Sequence, residues 1–491
     1  MLNNKLVNTI FDKSRPGKTG YILPKLDVPK VDIFKYIDNK LLKKESFNMP
    51  ELTEPEVVRH FTNLSTKNHH VDKDFYPLGS CTMKYNPKIN DILASLPGFA
   101  GMHPAQSDLS SQGSLEIMSL LEDYLLKITG MDAITLQPSA GSQGEFVGLL
   151  MIKKYHNDKN NDKDHIIIPE TAHGTNPASV ILAGYKTVKV GSDDRGRVDI
   201  NDLKLKINER TAGMMLTQPN TLGLYEDNIL EITKLIHDVD GLMYMDGANL
   251  NALVGLCYPK SMGFDIVHIN VHKTFSTPHG GGGPGAGPIA IVEKLKKYLP
   301  TPKIKQDAEN KYYLDYSKEK TIGPIHSYYG NFGILVRAYI YISVLGEEGV
   351  KKMTRRAILN ANYLKKRLKD HYDIPYSEGS MHEFVISGIK QKEKGVKVLD
   401  IAKMLLDYGY HAPTIYFPMN VPESMMIEPT ESESKQTLDD FADTLIEIDG
   451  LINKDPEILI NAPYKTPIKR LDETRANREP VLKWSKSDAV Q

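Results

Sequence analysis

Only two cysteines, Cys81 and Cys257, occur in 491 residues. Two thiols cannot build the disulfide framework of a secreted scaffold, and such sparse usage suits a reducing compartment. An excess of either charge is also missing: 61 Lys+Arg stand against 62 Asp+Glu, a formal net charge of -1. Nucleic-acid-binding proteins carry a basic excess, so that class is excluded as the main function. The sequence has no run of 18 uncharged apolar residues, and therefore no membrane-spanning helix. Its first residues, MLNNKLVNTIFDKSRPGK, lack the apolar core of a secretory signal. Asp12 and the scarcity of serine count against an organelle-targeting peptide as well. The expectation is a cytoplasmic protein. No internal repeat and no low-complexity tract break the chain.

What is present becomes informative through its order. Hydrophobic residues make up 40% and charged residues 25%, a balance that marks a folded chain rather than a disordered one. At about 150 residues per domain the length allows two large domains or three smaller ones. Residues 1–95, rich in Pro, Lys and Asp, read as an N-terminal arm. One helix is expected between 50 and 68, with Pro55 in its first turn. The irregular loop FYPLGSCTMKYNP follows, bounded by prolines. Residues 96–332 alternate helix and strand. A helix over 114–129 is stopped by Gly130. Short apolar runs then occur at 133–136, 165–168, 187–190, 213–217, 242–245, 266–270 and 288–292. These runs, too short for helices, predict a large α/β domain with a mostly parallel seven-stranded sheet. The polar connector 155–165 reads as a solvated loop. Residues 333–491 predict a smaller C-terminal α/β domain. Its helices fall at 334–345, 349–371, 397–408 and 434–448, its strands at 383–386, 414–417 and 424–427, and a charged, proline-rich surface tail follows.

The chemistry concentrates in the middle stretch. FDIVHINVHKTFSTPHGGGGPGAGP runs from a strand into a glycine-rich turn, with Lys273 at the strand's end. A lysine there is a poor buried residue unless it is neutralised or covalently used. Its neighbours His272, Thr274 and Ser276 offer hydrogen bonds to a phosphate, and the glycines at 280–283 allow close backbone approach. The bland alternative is a lysine capping a strand before a flexible loop. Asp246 ends another apolar strand in GLMYMDGANLNAL and needs a cationic partner, for which a protonated pyridine nitrogen would serve. Ala248, two residues on, is small enough for a flat ring to approach. The alternative is a helix cap. In LQPSAGSQGE, Ala140, Gly141 and Ser142 open a helix where free N–H groups make a phosphate cup; an ordinary turn would use the same residues. His173, in PETAHGTNPAS, follows a strand and can stack on a planar group, although most such histidines are loop residues. Asn220, in LTQPNTLG, holds a similar position and can donate to a phenolic oxygen. His268 and His272 are spaced like metal ligands on a helix, but on a strand they lie apart, so no metal is expected.

Each residue ends a predicted strand, the edge at which open α/β sheets bind ligands. Their chain order is that of the pyridoxal-phosphate (PLP) transferases of the aspartate-aminotransferase type, fold type I. More specifically, the sequence resembles the P-protein family of the glycine cleavage system, in particular its split second subunits. The segments that carry the match are YPLGSCTMKYNP, QPSAGSQGE, PETAHGTNPAS, LTQPNTLG, YMDGANLNA, INVHKTFSTPHGGGGPGAGP and IEPTESES, spread over nearly the whole chain. The resemblance implies that Lys273 is the cofactor lysine, that His173 faces the cofactor ring and that Asp246 partners its nitrogen. It implies glycine as substrate, and decarboxylation with transfer of the aminomethyl group to the oxidised lipoyl arm of H-protein. It also implies a homologous first subunit, in a two-plus-two heterotetramer. The competing readings are another fold-type I enzyme, such as an amino-acid decarboxylase or aminotransferase, and a non-catalytic scaffold subunit. An intact Lys273 and Asp246 argue against the scaffold. Cys81 lacks an activating neighbour other than Lys84, which argues against a cysteine desulfurase.

Overall fold

A computed structural model describes residues 7–45, 49–103, 106–279, 285–317 and 320–482. The glycines at 280–283, expected to approach a ligand, lie outside the described residues. The chain divides into two compact units, one formed by residues 1–70 with 462–491 and the other by 71–461.

The first unit contains helix α1 (Glu54–Ser65), the one expected between 50 and 68. Thr53 and Glu56 form its capping box, and Pro55 occupies the first turn, where its missing N–H costs nothing. Ahead of α1 the chain exposes one apolar side chain after another: Tyr21, Ile22, Leu23, Leu26, Phe34 and Tyr36 are all solvent-facing.

In the second unit, helix α2 (Gln112–Thr129) ends on Gly130, whose φ of 71° gives the left-handed stop. Seven strands follow: β1 (Ala133–Thr135), β2 (His165–Pro169), β3 (Lys186–Val190), β4 (Thr211–Thr217), β5 (Leu242–Gly247), β6 (Ile266–Ile269) and β7 (Ile289–Ile291). They form one sheet in the order β1-β7-β6-β5-β4-β2-β3. Only β7 runs antiparallel to its neighbours; β2–β3, β2–β4, β4–β5 and β5–β6 pair in parallel. Every residue of β4 and β5 is buried, the signature of central strands covered on both faces. Four helical segments follow strands of this sheet: α3 (Gly141–Asp158), α4 (Thr175–Leu182), α5 (Ile229–Asp238) and the single turn α6 (Val271–Thr274). The expected solvated connector begins later than its polarity suggests. Helix α3 continues to Asp158, with His156 buried and its Nε2 2.9 Å from the carbonyl of Ala212.

A hairpin, β8 (Lys303–Gln306) and β9 (Tyr312–Asp315), leads to the long helix α7 (Phe332–Leu368). The two helices expected at 334–345 and 349–371 are the two arms of α7, separated by Gly346 at φ 60°. Beyond it, β10 (Phe384–Ser387), β11 (Thr414–Ile415) and β12 (Ser424–Ile427) make a small antiparallel sheet in the order β10-β12-β11. Helices α8 (Val398–Asp407) and α9 (Lys435–Lys454) complete this part.

Candidate active site

The carboxyl edge of the large sheet collects the chemistry. After β1, Ala140 is the extended cap of α3, and Gly141 and Ser142 open its first turn. This approach requires residues without side chains: a Cβ on Gly141 would stand 2.4 Å from Asn270 Nδ2, and one on Gly287 2.2 Å from the Ala140 carbonyl oxygen. After β2 comes His173, and at the ends of β4, β5 and β6 come Thr217, Asp246 and Lys273. Lys273 is not on the strand itself but in the helical turn α6, which aims it back over the edge. All of these, with Ala248 and His272, line one cleft of about 250 Å³.

Hydrogen bonds decide the charge of each group. Asp246 is 3% exposed. Its Oδ2 accepts from Asn176 Nδ2 at 3.0 Å, its Oδ1 from the Ala248 N–H at 3.0 Å, and His268 Nε2 lies 3.3 Å away. Burial works against ionisation here, but His268 and these donors outweigh it and hold the carboxyl below its ordinary value. Glu145, on α3, lines the same cleft and moves the other way: burial and the Asp246 charge push its carboxyl upward.

The Lys273 ammonium donates to the Ser80 carbonyl at 3.0 Å. Ser80 sits at φ 64°, a left-handed backbone that few side chains adopt, and its N–H donates to Glu383 Oε2 at 2.8 Å. Glu383 is fully buried and also accepts from Asn249 Nδ2 at 3.2 Å. Burial lifts its carboxyl to about 7 against the pull of Ser80 and Lys273. Beside it lie His382 and Glu428, both fully buried. His382 Nε2 is 3.8 Å from Glu383 and 4.0 Å from Glu428, and neither ring nitrogen has a hydrogen-bond partner among the described residues. Burial holds this imidazole down at about 3, and it drives Glu428 well above the carboxylate range. Thr82 donates to Glu428 Oε1 at 2.6 Å. The 76–87 loop is further pinned by Lys84, whose buried ammonium meets Glu431 at 2.7 Å and Asn251 at 2.9 Å.

Of the residues singled out in the sequence, Lys273, Asp246, Ala248, Ala140, Gly141, Ser142, His173 and His272 come together in the cleft. Asn220 does not. Its amide donates to the Gly196 carbonyl at 2.9 Å and its Oδ1 accepts the N–H groups of Leu222 and Leu224, so it shapes a turn instead. Thr217 and Thr221 stand at the cleft in its place. Burial, with the nearby His279 and Lys273, holds His272 down at about 3, so that it is a neutral ring. Glu145, Glu383, His382 and Glu428 escaped residue-level reading. Glu428 lies in the quoted segment IEPTESES and Glu145 in QPSAGSQGE, but a lone glutamate carries no spacing signal. Cys81 lies 3.7 Å from His279 Nδ1, and burial pushes its thiol up despite the Lys273 charge.

The family described as "Glycine cleavage system P-protein" matches residues 17–313 of this chain, and that described as "Glycine dehydrogenase, C-terminal domain" matches 353–463. The chain belongs to the P-protein family. It is 52% identical over 487 residues to the "Probable glycine dehydrogenase (decarboxylating) subunit 2" of Bacillus licheniformis, covering 99% of this chain and 100% of the relative. A relative of the same description from Chloroherpeton thalassium is 53% identical over 479 residues, 97% of each chain. Among solved structures, an inhibitor-bound glycine decarboxylase (P-protein) aligns at TM-score 0.72 and 18% identity, over 85% of this chain and 94% of that one. A cysteine desulfurase from Thermococcus onnurineus NA1 aligns at TM-score 0.60 and 15% identity, over 78% and 96%. The fold is therefore the type I PLP-enzyme fold, as expected from the sequence, and family membership narrows what the fold leaves open.

Proposed function

We propose that the chain decarboxylates glycine with PLP and passes the aminomethyl group to the oxidised lipoyl arm of an H-protein, as one subunit of a P-protein. The observation that carries this reading is the Lys273 amine sharing a cleft with an ionised Asp246 and an open helix N-terminus. The residues fit PLP. The glycine-walled turn at Ala140–Gly141 leaves room for a phosphate, and Thr217 Oγ1 and Asn270 Oδ1 are buried at the cleft without partners among the described residues. PLP, when bound, supplies the electron sink that accepts the electron pair left by departing CO₂.

Each residue then has a task. Lys273 would hold the cofactor covalently, and the Ser80 carbonyl gives its ammonium a partner whenever it is released. Asp246 would keep a proton on the pyridine nitrogen, because its own donors keep it ionised. Ala140, Gly141 and Ser142 would bind the phosphate, His272 would stand beside it as an uncharged ring, and His173 would face the cofactor ring. Glu428, raised well above the carboxylate range, puts no negative charge near the incoming glycine carboxylate, and Glu383, raised to about 7, puts less than a free carboxylate would. Cys81, buried and held as a thiol, is not equipped to act as a desulfurase nucleophile.

The same reading extends to organisation. Residues 96–332 form the large cofactor domain, 333–491 the small C-terminal domain with its tail, and 1–95 the arm. The partner is a homologous first subunit in a two-plus-two tetramer. The row of exposed apolar side chains between Tyr21 and Tyr36 supports a partner-covered arm, because a solvated arm has no reason to carry them. No described helix is long and apolar enough to cross a membrane, which is compatible with a cytoplasmic enzyme.

The test is glycine–bicarbonate carbon exchange by the chain purified with its first subunit and loaded with PLP. Exchange specific for glycine, stimulated by lipoylated H-protein and abolished by Lys273→Ala, is the expected result. Exchange that ignores H-protein and accepts other amino acids would replace this reading with a general decarboxylase.

A further inference from the structure

Glu145 has no task in the scheme above, although it lines the cleft and is 4% exposed. Its two oxygens meet two hydroxyl groups: Oε1 lies 2.8 Å from Thr175 Oγ1, and Oε2 lies 3.0 Å from Ser179 Oγ. Thr175 Oγ1 is also 2.8 Å from Nδ1 of His173, and the Thr175 backbone N–H points at the same ring nitrogen from 3.3 Å. A main-chain N–H is a donor that cannot reverse, so Nδ1 of His173 is an acceptor. The Thr175 hydroxyl, facing that acceptor, spends its single proton there. Its oxygen is then left to accept, and the proton in the Thr175–Glu145 contact must come from Glu145.

We propose that Glu145 is a protonated carboxyl that, through Thr175, completes the chain of donors leading to Nδ1 of an Nε2–H His173 and supplies a proton to the cleft. Glu145 is thus a positioning residue that acts through His173.

The surroundings of Glu145 agree with this assignment. From β5 it is faced by Asp246 and Tyr244, from β6 by His268, and from α4 by Thr175 and Ser179. Asp246 is bonded by amide N–H groups, which only donate, whereas Glu145 is bonded by hydroxyls, which can turn round. Two neighbouring carboxyl groups cannot both ionise cheaply, and the one with obligate donors takes the charge. Burial together with the Asp246 charge pushes Glu145 in the same direction.

The relay rests on the proposed glycine reaction, whose balance calls for one proton. Zwitterionic glycine loses CO₂, and its aminomethyl carbon bonds to one lipoyl sulfur. The S–S bond breaks, and its electron pair stays on the other sulfur as a thiolate. In the relay, His173 Nε2 gives its proton to that thiolate while Nδ1 takes the proton of the Thr175 hydroxyl. Thr175 is refilled from Glu145, which is left as a carboxylate. His173 is solvent-exposed, so water can reload the chain in the reverse direction.

The first arm of the test needs no cofactor: ¹⁵N-histidine NMR of the full chain with its first subunit, without PLP, the His173 signals being assigned by their loss in His173→Gln. The uncharged ring of His173 is expected in the Nε2–H form with a bare Nδ1. Glu145→Gln should keep that form, since an amide N–H can replace the carboxyl O–H, and Thr175→Ser should keep it too. Thr175→Val retains the backbone N–H and should keep the form as well, but it cuts Glu145 off from the ring and should lower kcat as Glu145→Gln does. In the loaded complex, Glu145→Gln should lower kcat for aminomethyl transfer about a hundredfold, because an amide cannot give up the proton, with little change in the glycine KM. An Nδ1–H form in the unmodified chain, or full kcat in Glu145→Gln, would overturn the proposal. If the loaded complex never turns glycine over, the functional reading fails, whereas the NMR result still decides the protonation of Glu145 and His173.

Discussion

Two clusters of the same composition, two carboxyl groups and a histidine, meet at this cleft and end in opposite charge states. Glu145, Asp246 and His268 gather at the large sheet, with Glu145 on α3; His382, Glu383 and Glu428 flank the strands of the small one; every member of both is buried. In the first cluster, amide donors reach one carboxyl and hydroxyls the other. The pair splits into an anion at Asp246 and a raised Glu145, with His268 clamped by Tyr244 at 2.7 Å. In the second, both carboxyl groups are raised and the histidine is lowered, so the group is close to uncharged until Glu383 ionises at about pH 7. Lys273 bears on both clusters, lowering Asp246, Glu383 and Glu428 alike. Burial is equal on the two sides. What differs is the histidine: His268, 3.3 Å from Asp246, is the strongest influence holding that carboxyl down, whereas His382, 3.8 Å from Glu383, is itself kept uncharged by burial and offers no such pull.

Breaking this arrangement should have graded consequences. The largest follows from Lys273→Ala, which removes the charge common to both clusters together with the anchoring amine. Glycine-dependent exchange should fall by about a thousandfold or more, and added PLP should give no visible band. Asp246→Asn turns the one ionised carboxyl into a neutral amide. Turnover should drop about a hundredfold, and titration with PLP should show weaker cofactor retention.

Glu383→Gln tests the second cluster through pH. A carboxyl raised from 4.5 to about 7 holds its proton more tightly in the folded chain than in the unfolded one. Its contribution to stability is full below about pH 4.5 and is lost as the pH rises through about 7. Thermal melts of the unmodified chain should therefore lose stability across that window. Those of Glu383→Gln should lose less, because its amide does not titrate. The smallest effect is expected from Glu428→Gln, which replaces a group already neutral and keeps an acceptor for Thr82. Its stability should move least of the four, read from denaturant midpoints. A large loss there would mean that Glu428 is ionised and that the two clusters do not differ.

Much of this is legible in the sequence alone. The seven short apolar runs became the seven strands because a central parallel strand is buried on both faces and must be apolar throughout. The cofactor-edge residues were legible because each follows such a run within a few positions, as Asp246 and Lys273 do. The register of Asn220 was not. It follows β4 closely, but the turn from Pro219 to Leu224 uses its side chain for its own N–H groups, and local side-chain bonds of this kind leave no trace in spacing. The second cluster was hidden for a different reason. Glu383 and Glu428 are far from Lys273 in sequence and reach it through pairing of β10 with β12, which sets Phe384 opposite Ile427. Helix α3 ran past its expected end because its polar tail still packs Tyr155 and His156 inward.

The contrast between the clusters is tested most directly by infrared difference spectroscopy of the apo-protein at about pH 6, reading the C=O stretch of protonated carboxyl groups. The substitutions Glu145→Gln, Glu383→Gln and Glu428→Gln should each delete one protonated-carboxyl band, and Asp246→Asn should delete none. Loss of such a band in Asp246→Asn, with Glu145→Gln leaving the spectrum unchanged, would place the proton on the wrong member of the pair and contradict the assignment of charge at this site.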